Sequence, residues 1–365
     1  MRVLIVRFSS FGDIFQALEA AKHLAVSNRA EFVDWLVRED FAPLLRNQSS
    51  IRNTISFPRR QSAADLVVLS WRIAPNYDHV YDAHSNLRSL IVRTTIRARW
   101  ILDSVLHPIG VRKSIIVRSK ERLRRFLFFK FQMRTLPSPY RGAESFVLPL
   151  RNWIPDLEFH FGDSSWRVPE LPANGINSEF DAWLKLAFGA TLIALAPSAA
   201  WPNKRWPIDR WRILVAQYLS QSPATRFLLL GGPEDKFLNE LETEFGTERV
   251  FNAVGRTSLL ESAALLSQAD AIIANDTGLL HVADRLQIPN VGIIGPTAFG
   301  YTVSPVSRIA EVPRGTLWCK PCSKDGRDPC KNQVQLRCLM DVSPEQVLRE
   351  LGEAFEAVGE SRALK

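Results

Sequence analysis

Short apolar runs punctuate the chain at residues 3–6, 32–36, 79–82 and 99–102, and again at 192–196, 226–230, 271–274 and 290–294. Most are apolar throughout instead of alternating with polar residues, the pattern of parallel strands covered on both faces. Between them lie stretches of helical periodicity, the clearest over residues 13–26. A last helix is signalled by Ser343 as N-cap, Pro344 in its first turn and Gln346 closing a capping box. Val347, Leu351, Phe355 and Val358 then recur at helical spacing. Strand–helix alternation that runs twice predicts an α/β chain of two doubly wound domains. Their expected limits are 1–170 and 171–342, with 343–365 as a terminal helix packing back on the first domain. The seam is expected at residues 162–176, which hold Pro169, Pro172 and Gly175. Two open parallel sheets bind ligands at the carboxyl ends of their strands, so the chemistry is sought in the loops that follow strands.

Composition agrees with two ordinary cores: 365 residues, 46% of them hydrophobic and 23% charged, exclude a disordered chain. Charge divides unevenly. Residues 1–170 carry a net +10 and the remainder a net −2, within an overall +8. A basic first half calls for a phosphate-rich partner: nucleic acid, anionic lipid or a sugar nucleotide. No run approaches the roughly 20 apolar residues that cross a bilayer. The opening Met1-Arg-Val-Leu-Ile-Val-Arg7 is interrupted by charge too early for a secretory signal, so a cytosolic location is expected.

Ser9-Ser10-Phe11-Gly12-Asp13 follows the first strand. Gly12 permits a tight turn and puts Asp13 at a helix start. There it is either a general base for a hydroxyl or an acid favoured by the helix dipole. Asn275-Asp276-Thr277-Gly278-Leu279-Leu280-His281 follows another strand. Such a turn into a helix exposes backbone N–H groups to an anion, with Thr277 adding a hydroxyl and Gly278 close approach. His281, one turn on, either faces the same ligand or is a satisfied core histidine. Lys204 and Arg205 stand on a loop beginning Pro197-Ser198 and stiffened by Trp201, Trp206 and Trp211, which favours phosphate binding over a merely solvated pair. Gly231-Gly232-Pro233-Glu234 and Gly295-Pro296-Thr297 end two further strands, Glu234 being a candidate for ribose hydroxyls.

Thirteen basic residues lie between Arg88 and Arg134 against Asp103 and Glu121 alone, and from Arg122 onward they interleave with Leu and Phe. A membrane-surface element, a nucleic-acid patch and a solvated helix all have that composition. Cys319, Cys322, Cys330 and Cys338 are the only cysteines and fall within twenty residues. Structural zinc, free thiols and disulfides are the three readings of that spacing.

Taken in order, these motifs resemble the lipopolysaccharide heptosyltransferases of glycosyltransferase family nine. The resemblance runs from Met1 to the last helix. It is carried by Arg2-Val-Leu-Ile-Val-Arg-Phe-Ser-Ser-Phe-Gly-Asp13 and Asn275-Asp-Thr-Gly-Leu-Leu-His281, with Asn86-Leu-Arg88, Lys204-Arg-Trp-Pro207, Gly295-Pro-Thr297 and the cysteine-rich tail. It implies a GT-B fold, two Rossmann-like domains facing across a cleft. It also implies inverting transfer of a heptose from ADP-heptose to a phosphorylated lipopolysaccharide or lipid A–core acceptor. By the same resemblance Asp13 is the base and Lys204 neutralises the donor diphosphate. Ser198, Glu234, Asp276, Thr277, Gly278 and His281 belong to the donor side; Ser10, Gly12, Arg59 and Arg60 belong to the acceptor side. No cofactor is required and no nucleic acid is expected. The place of action is the cytoplasmic face of the inner membrane, as a peripheral protein. Two segments depart from the pattern: Phe15-Gln-Ala-Leu-Glu19 has no proline, and Asp284-Arg285 stands where small residues are usual. A same-fold transferase using another nucleotide sugar, and a basic nucleic-acid-binding module with a zinc-like tail, are the competing expectations. The second predicts steeply salt-dependent binding to DNA or RNA.

Overall fold

The computed structural model describes residues 1–46, 48–106, 112–137, 139–161, 166–168, 175–186 and 189–363, with side chains as far as residue 358. Its described strands are β1 (Arg2–Val6), β2 (Phe32–Arg38), β3 (Asn53–Phe57), β4 (His79–Asp82), β5 (Ser114–Val117), β6 (Leu192–Ala196), β7 (Arg226–Leu229), β8 (Val250–Asn252), β9 (Ala271–Asn275), β10 (Asn290–Ile294) and β11 (Ser307–Glu311). The helices are α1 (Phe11–Val26), α2 (Ala63–Ile73), α3 (Leu87–Leu106), α4 (Arg122–Phe131), α5 (Gly142–Val147), α6 (Ile176–Lys185), α7 (Ile208–Gln221), α8 (Asn239–Phe245), α9 (Leu259–Leu266), α10 (Gly278–Leu286), α11 (Arg337–Met340) and α12 (Pro344–Ala363). Among the described residues none of these helices is long and apolar enough to cross a membrane.

The chain divides into two units, Met1–Glu121 with Ala143–Pro169, and Arg122–Gly142 with Glu170–Lys365. The first holds a five-stranded sheet in the order β3-β2-β1-β4-β5, the second a six-stranded sheet in the order β11-β10-β9-β6-β7-β8. Every pairing in both is parallel. In each sheet the chain lays three strands outward, then returns to the centre and builds the other way. The order therefore reverses between β1 and β4 in one unit and between β6 and β9 in the other. That arrangement is the doubly wound fold, and the loops after those four strands lie where such sheets bind ligands.

Burial explains the strand patterns. Val3 to Val6, Leu192 to Ala196 and Ala271 to Asn275 are all buried, as helices on both faces require. Two sequence expectations are corrected in this part of the fold. Residues 99–102 are helical, because Val92, Ile96 and Trp100 recur at helical spacing and bury against Leu66, Ile73 and Val80; the edge strand is β5. The edge and short strands β3, β8 and β11 have no counterpart among the predicted runs.

Domain limits also differ from expectation. Residues 122–142 leave the first unit, because Phe128, Leu136 and Tyr140 cluster with Ala298 in the second. The terminal helix α12, expected on the first domain, belongs to the second unit. It packs on β11, β10 and α7, with Val347 and Leu351 in the same core as Val291 and Ile293. Ser343 caps it by accepting from Gln346 N at 3.2 Å, while the Gln346 side chain donates to Glu311 O instead of back to the cap. The expected seam at 162–176 falls largely outside the described residues.

Candidate active site

In the first unit the loop after β1 carries the acid. Asp13 sits in the first turn of α1, its Oδ2 2.7 Å from Ser10 Oγ and 2.5 Å from an amino nitrogen of Arg7. Arg7 is buried immediately beyond the strand and donates also to Ala83 O at 2.8 Å. Burial alone would raise the Asp13 pKa; Arg7, the Ser10 hydroxyl and Arg118 outweigh it and hold the carboxyl below its usual range. The acid is thus an anion at neutral pH, and 40% of its side chain remains open to solvent. Asp13 is thus the acid of the first helical turn, as one sequence reading had it, and also an accessible carboxylate.

Beside it, at the end of β4, Asp82 accepts from His84 N and Ser85 N and so shapes the turn that presents His84. His84 Nδ1 accepts from Phe8 N at 3.1 Å, so the neutral ring carries its proton on Nε2. Burial, then Arg7 and Lys120, push its pKa down to about 3. Arg118, after β5, is held by Ser145 Oγ at 2.6 Å and lies over the Phe146 ring. Sequence reasoning missed Arg7, His84 and Arg118. The signal was available for His84, since Ala83-His84 directly follows the predicted strand at 79–82. Asn86 with Ser89 closes a reciprocal cap that starts α3 next to this turn. Ser10 is exposed, Gly12 lies in the first turn of α1, and Arg59 and Arg60 are exposed in the turn after β3, on the same sheet edge.

In the second unit two central loops are bolted together. Asn275, the buried last residue of β9, donates to Pro197 O at 2.5 Å and accepts from Trp206 N at 3.1 Å. Trp206 is buried, donates to Leu339 O and Val342 O, and meets Trp211 edge-on. The tryptophans do order the loop, as their placing in the sequence suggested. Lys204 Nζ then lies 2.8 Å from Asp276 Oδ2, which also accepts from Thr297 Oγ1 at 2.7 Å. Burial opposes ionisation of Asp276, but Lys204, Thr297 and His281 keep its pKa below the ordinary value. Thr277 is the N-cap of α10, and Gly278 begins that helix with His281 buried one turn on. Lys204, Asp276, Thr277, Gly278, His281 and Thr297 are therefore brought together, with Ser198 half-buried directly after β6.

Glu234 is exposed and folds back over Gly232; the structured acid of that turn is its neighbour Asp235, which accepts from Gly232 N and pairs with Arg205 at 3.2 Å. The Asp284-Arg285 departure has a packing reason. Buried Asp284 accepts from Val303 N, Ser304 N and Ser307 Oγ, fastening the loop before β11, and burial pushes its pKa up to about 6.

The cysteine loop packs behind Lys204. Asn203 donates to Asp328 O, Arg327 covers the Trp201 ring, and Ser323 ties Gly326 N to Asp328. Cys319, Cys322 and Cys338 are buried, Cys330 is half-buried, and none of the four is in a disulfide. Burial pushes the Cys322 thiol up to about 11 and the Cys338 thiol up to about 12. Among the described residues no group of three or more His, Cys, Asp or Glu side chains is arranged to hold a metal. Gly326 has φ +83° and backs directly onto the Lys204 stem. Gly326→Ala is expected to cost about 1–3 kcal/mol in folding stability, because the new Cβ meets the Lys204 stem at a positive φ. Thermal unfolding checks this; an unchanged unfolding temperature would show that the close approach to Lys204 does not matter.

Residues 170–331 match the model of glycosyltransferase family 9 (heptosyltransferase). The chain is 25% identical over 377 residues to lipopolysaccharide heptosyltransferase 2 of Escherichia coli K12, covering 96% of this chain and 97% of that protein. In fold it resembles the solved E. coli ADP-heptose lps heptosyltransferase II, with TM-score 0.66 at 19% identity over 99% of this chain and 100% of that one. It also resembles E. coli heptosyltransferase WaaC solved with ADP-2-deoxy-2-fluoro heptose, with TM-score 0.59 at 19% identity over 97% of this chain and 99% of that one. Parallel sheets with paired reversal points accord with the fold of those enzymes, residues 170–331 match the glycosyltransferase family 9 (heptosyltransferase) model, and the chain is a glycosyltransferase.

Proposed function

We propose that the protein transfers a heptose, with inversion, from ADP-heptose to the phosphorylated inner core of lipopolysaccharide. The observation that carries this reading is the cluster at the start of α10, where Lys204 and Thr297 converge on the buried Asp276 carboxylate next to the helix's N-cap, Thr277. A diphosphate seated there meets a cation, a hydroxyl and a helix N-terminus, the groups that stabilise charge growing on a leaving nucleoside diphosphate. Ser198 and Glu234 flank the two neighbouring strand ends and are assigned to the donor in this reading. Asp13 takes the proton of the acceptor hydroxyl as its oxygen attacks the anomeric carbon from the side opposite the diphosphate. Asp13 is a weak base, but the hydroxyl becomes acidic as its oxygen bonds to carbon, so the transfer is downhill late in the step. Ser10 and Arg7 hold the carboxylate for that proton; Arg59, Arg60 and Arg118 give the acceptor edge its positive charge. The step asks for no metal, since Lys204 and the α10 amides meet the charge. The net +10 of the first 170 residues suits an anionic acceptor, and we place the protein at the cytoplasmic face of the inner membrane as a peripheral enzyme.

Calorimetric titration with ADP-heptose, free ADP and a panel of other nucleotide sugars tests the donor. A deacylated inner-core acceptor and product NMR then test the transfer and its stereochemistry. ADP-heptose is expected to bind more tightly than ADP and to yield the inverted glycoside. ADP-heptose binding no tighter than ADP, with another nucleotide sugar preferred, would overturn the heptose assignment and leave the fold intact.

A further inference from the structure

Helix α3 has the wrong outside for a helix facing water. Its inner face is ordinary: Val92, Ile96 and Trp100 lie in the core of the first unit. A surface helix should then be polar on the opposite arc. Instead Leu90, Ile101, Leu102 and Val105 are exposed there, Ile101 to 61% and Val105 to 74%. Neighbouring α2 packs against α3 and adds exposed Val68 and Trp71, the latter under the Arg99 guanidinium at 5.2 Å. Scattered apolar side chains on a surface are normal, but a stripe continued over two packed helices marks an interaction face.

The charges around that stripe select its partner. On α3 there are four arginines and one acid. Arg93 and Arg99 are turned to Asp82 and Asp103, while Arg88 and Arg97 are exposed on the flanks, as is Arg72 on α2. An apolar stripe flanked by arginines is the pattern of an element lying in the interface of an anionic bilayer. A second copy of the chain on the same face would set arginine against arginine, which disfavours a symmetric dimer.

Sequence composition singled out the basic stretch from Arg88 to Arg134, but the Leu- and Phe-rich part from Arg122 to Phe131 spends some of its apolar content inside the second unit. Phe128 is buried with Tyr140 and Ala298, and Phe129 meets Phe299 edge-on.

We propose that the outward faces of α2 and α3 form the surface by which the first unit docks on an anionic lipid bilayer. This deepens the proposed function and rests on it only for its purpose: α3 begins beside His84, at the sheet edge that carries Asp13. A docked α3 would hold that edge close to headgroups, where a lipid-anchored acceptor presents its sugars.

Flotation with phosphatidylglycerol–phosphatidylcholine vesicles, and with pure phosphatidylcholine vesicles, tests the surface without any reaction. The full chain is expected to float with the anionic vesicles and to bind pure phosphatidylcholine at least tenfold more weakly. Ile101→Glu/Val105→Glu is expected to weaken anionic-vesicle binding tenfold or more, and Arg97→Ala severalfold with a shallower salt dependence. Phe126→Glu on α4 should leave binding unchanged. Both changes on α3 are at exposed positions, and circular dichroism with ADP titration confirms that the variants are folded. Unchanged flotation of the double variant, loss only with Phe126→Glu, or a dimer in light scattering that the double variant dissolves would each overturn the proposal. A failed transfer assay with normal flotation would instead indict the function, so the two failures are distinguishable.

Discussion

Asp13→Asn is expected to lower kcat by about 10²–10⁴-fold while calorimetric ADP affinity stays within a factor of about two. Asn keeps an acceptor oxygen for Ser10 and Arg7 but cannot take a proton, so the substitution removes the chemical role with little change of shape. A structural role would show differently. Asp13 neutralises Arg7, which is buried and on its other side donates to the Ala83 carbonyl. Removing a charge from such a pair can cost about 3–5 kcal/mol in stability. Thermal unfolding must therefore be read beside kcat. A lowered unfolding temperature with intact kcat at a temperature where the protein is folded would remove Asp13 from the base role. The pH profile gives a second reading. Since Arg7, Ser10 and Arg118 hold the Asp13 pKa below the usual carboxylate range, the base is ionised at every pH from 5 to 9. Activity should show no acid limb from this group in that window and should fall only where pH drops to the ordinary carboxylate value or below. His84, held neutral with a pKa of about 3, adds no limb either.

The second large effect is expected at Lys204. Lys204→Met should weaken binding of ADP by roughly 10–100-fold, the scale of one lost charge-assisted hydrogen bond of about 1.5–3 kcal/mol. The same change strands Asp276, whose carboxylate now leans on Lys204 and Thr297, so weakened binding alone is ambiguous. The double variant Lys204→Met/Asp276→Asn separates the two accounts. If Lys204 serves only to neutralise Asp276, removing both charges restores ADP affinity. If Lys204 grips the diphosphate, the double variant stays as weak as the single one, while Asp276→Asn alone keeps its affinity within a few-fold. Recovery in the double variant would take the lysine out of the donor site.

The legible part of this site consisted of residues that follow strands. Asp13, Lys204 and the run from Asp276 to His281 were each visible because an apolar run ends in a glycine-containing or proline-braced loop. Glu234 shows the limit of that logic. Its loop was found, but the side chain that organises the turn is Asp235, and which of two adjacent acids turns inward depends on the Gly232 amide and on Arg205. Arg7 was hidden for a related reason. Nothing in the run that ends at Val6 says that the next arginine folds under the loop to reach both Ala83 O and Asp13, 76 and 6 residues away.

Local pattern determined the two parallel sheets, the start of α1 and α10, and the capped terminal helix, because burial on both faces and free N–H groups at helix starts impose themselves within a few residues. Only the tertiary structure decided that residues 122–142 and α12 belong to the second unit, that residues 99–102 are helical, and that Lys204, Asp276 and Thr297 meet. Those outcomes turn on which distant apolar surface a segment covers and which remote charge it neutralises. Apolar spacing along a chain says that a face will be covered, while the identity of the cover is fixed by packing between elements far apart in sequence.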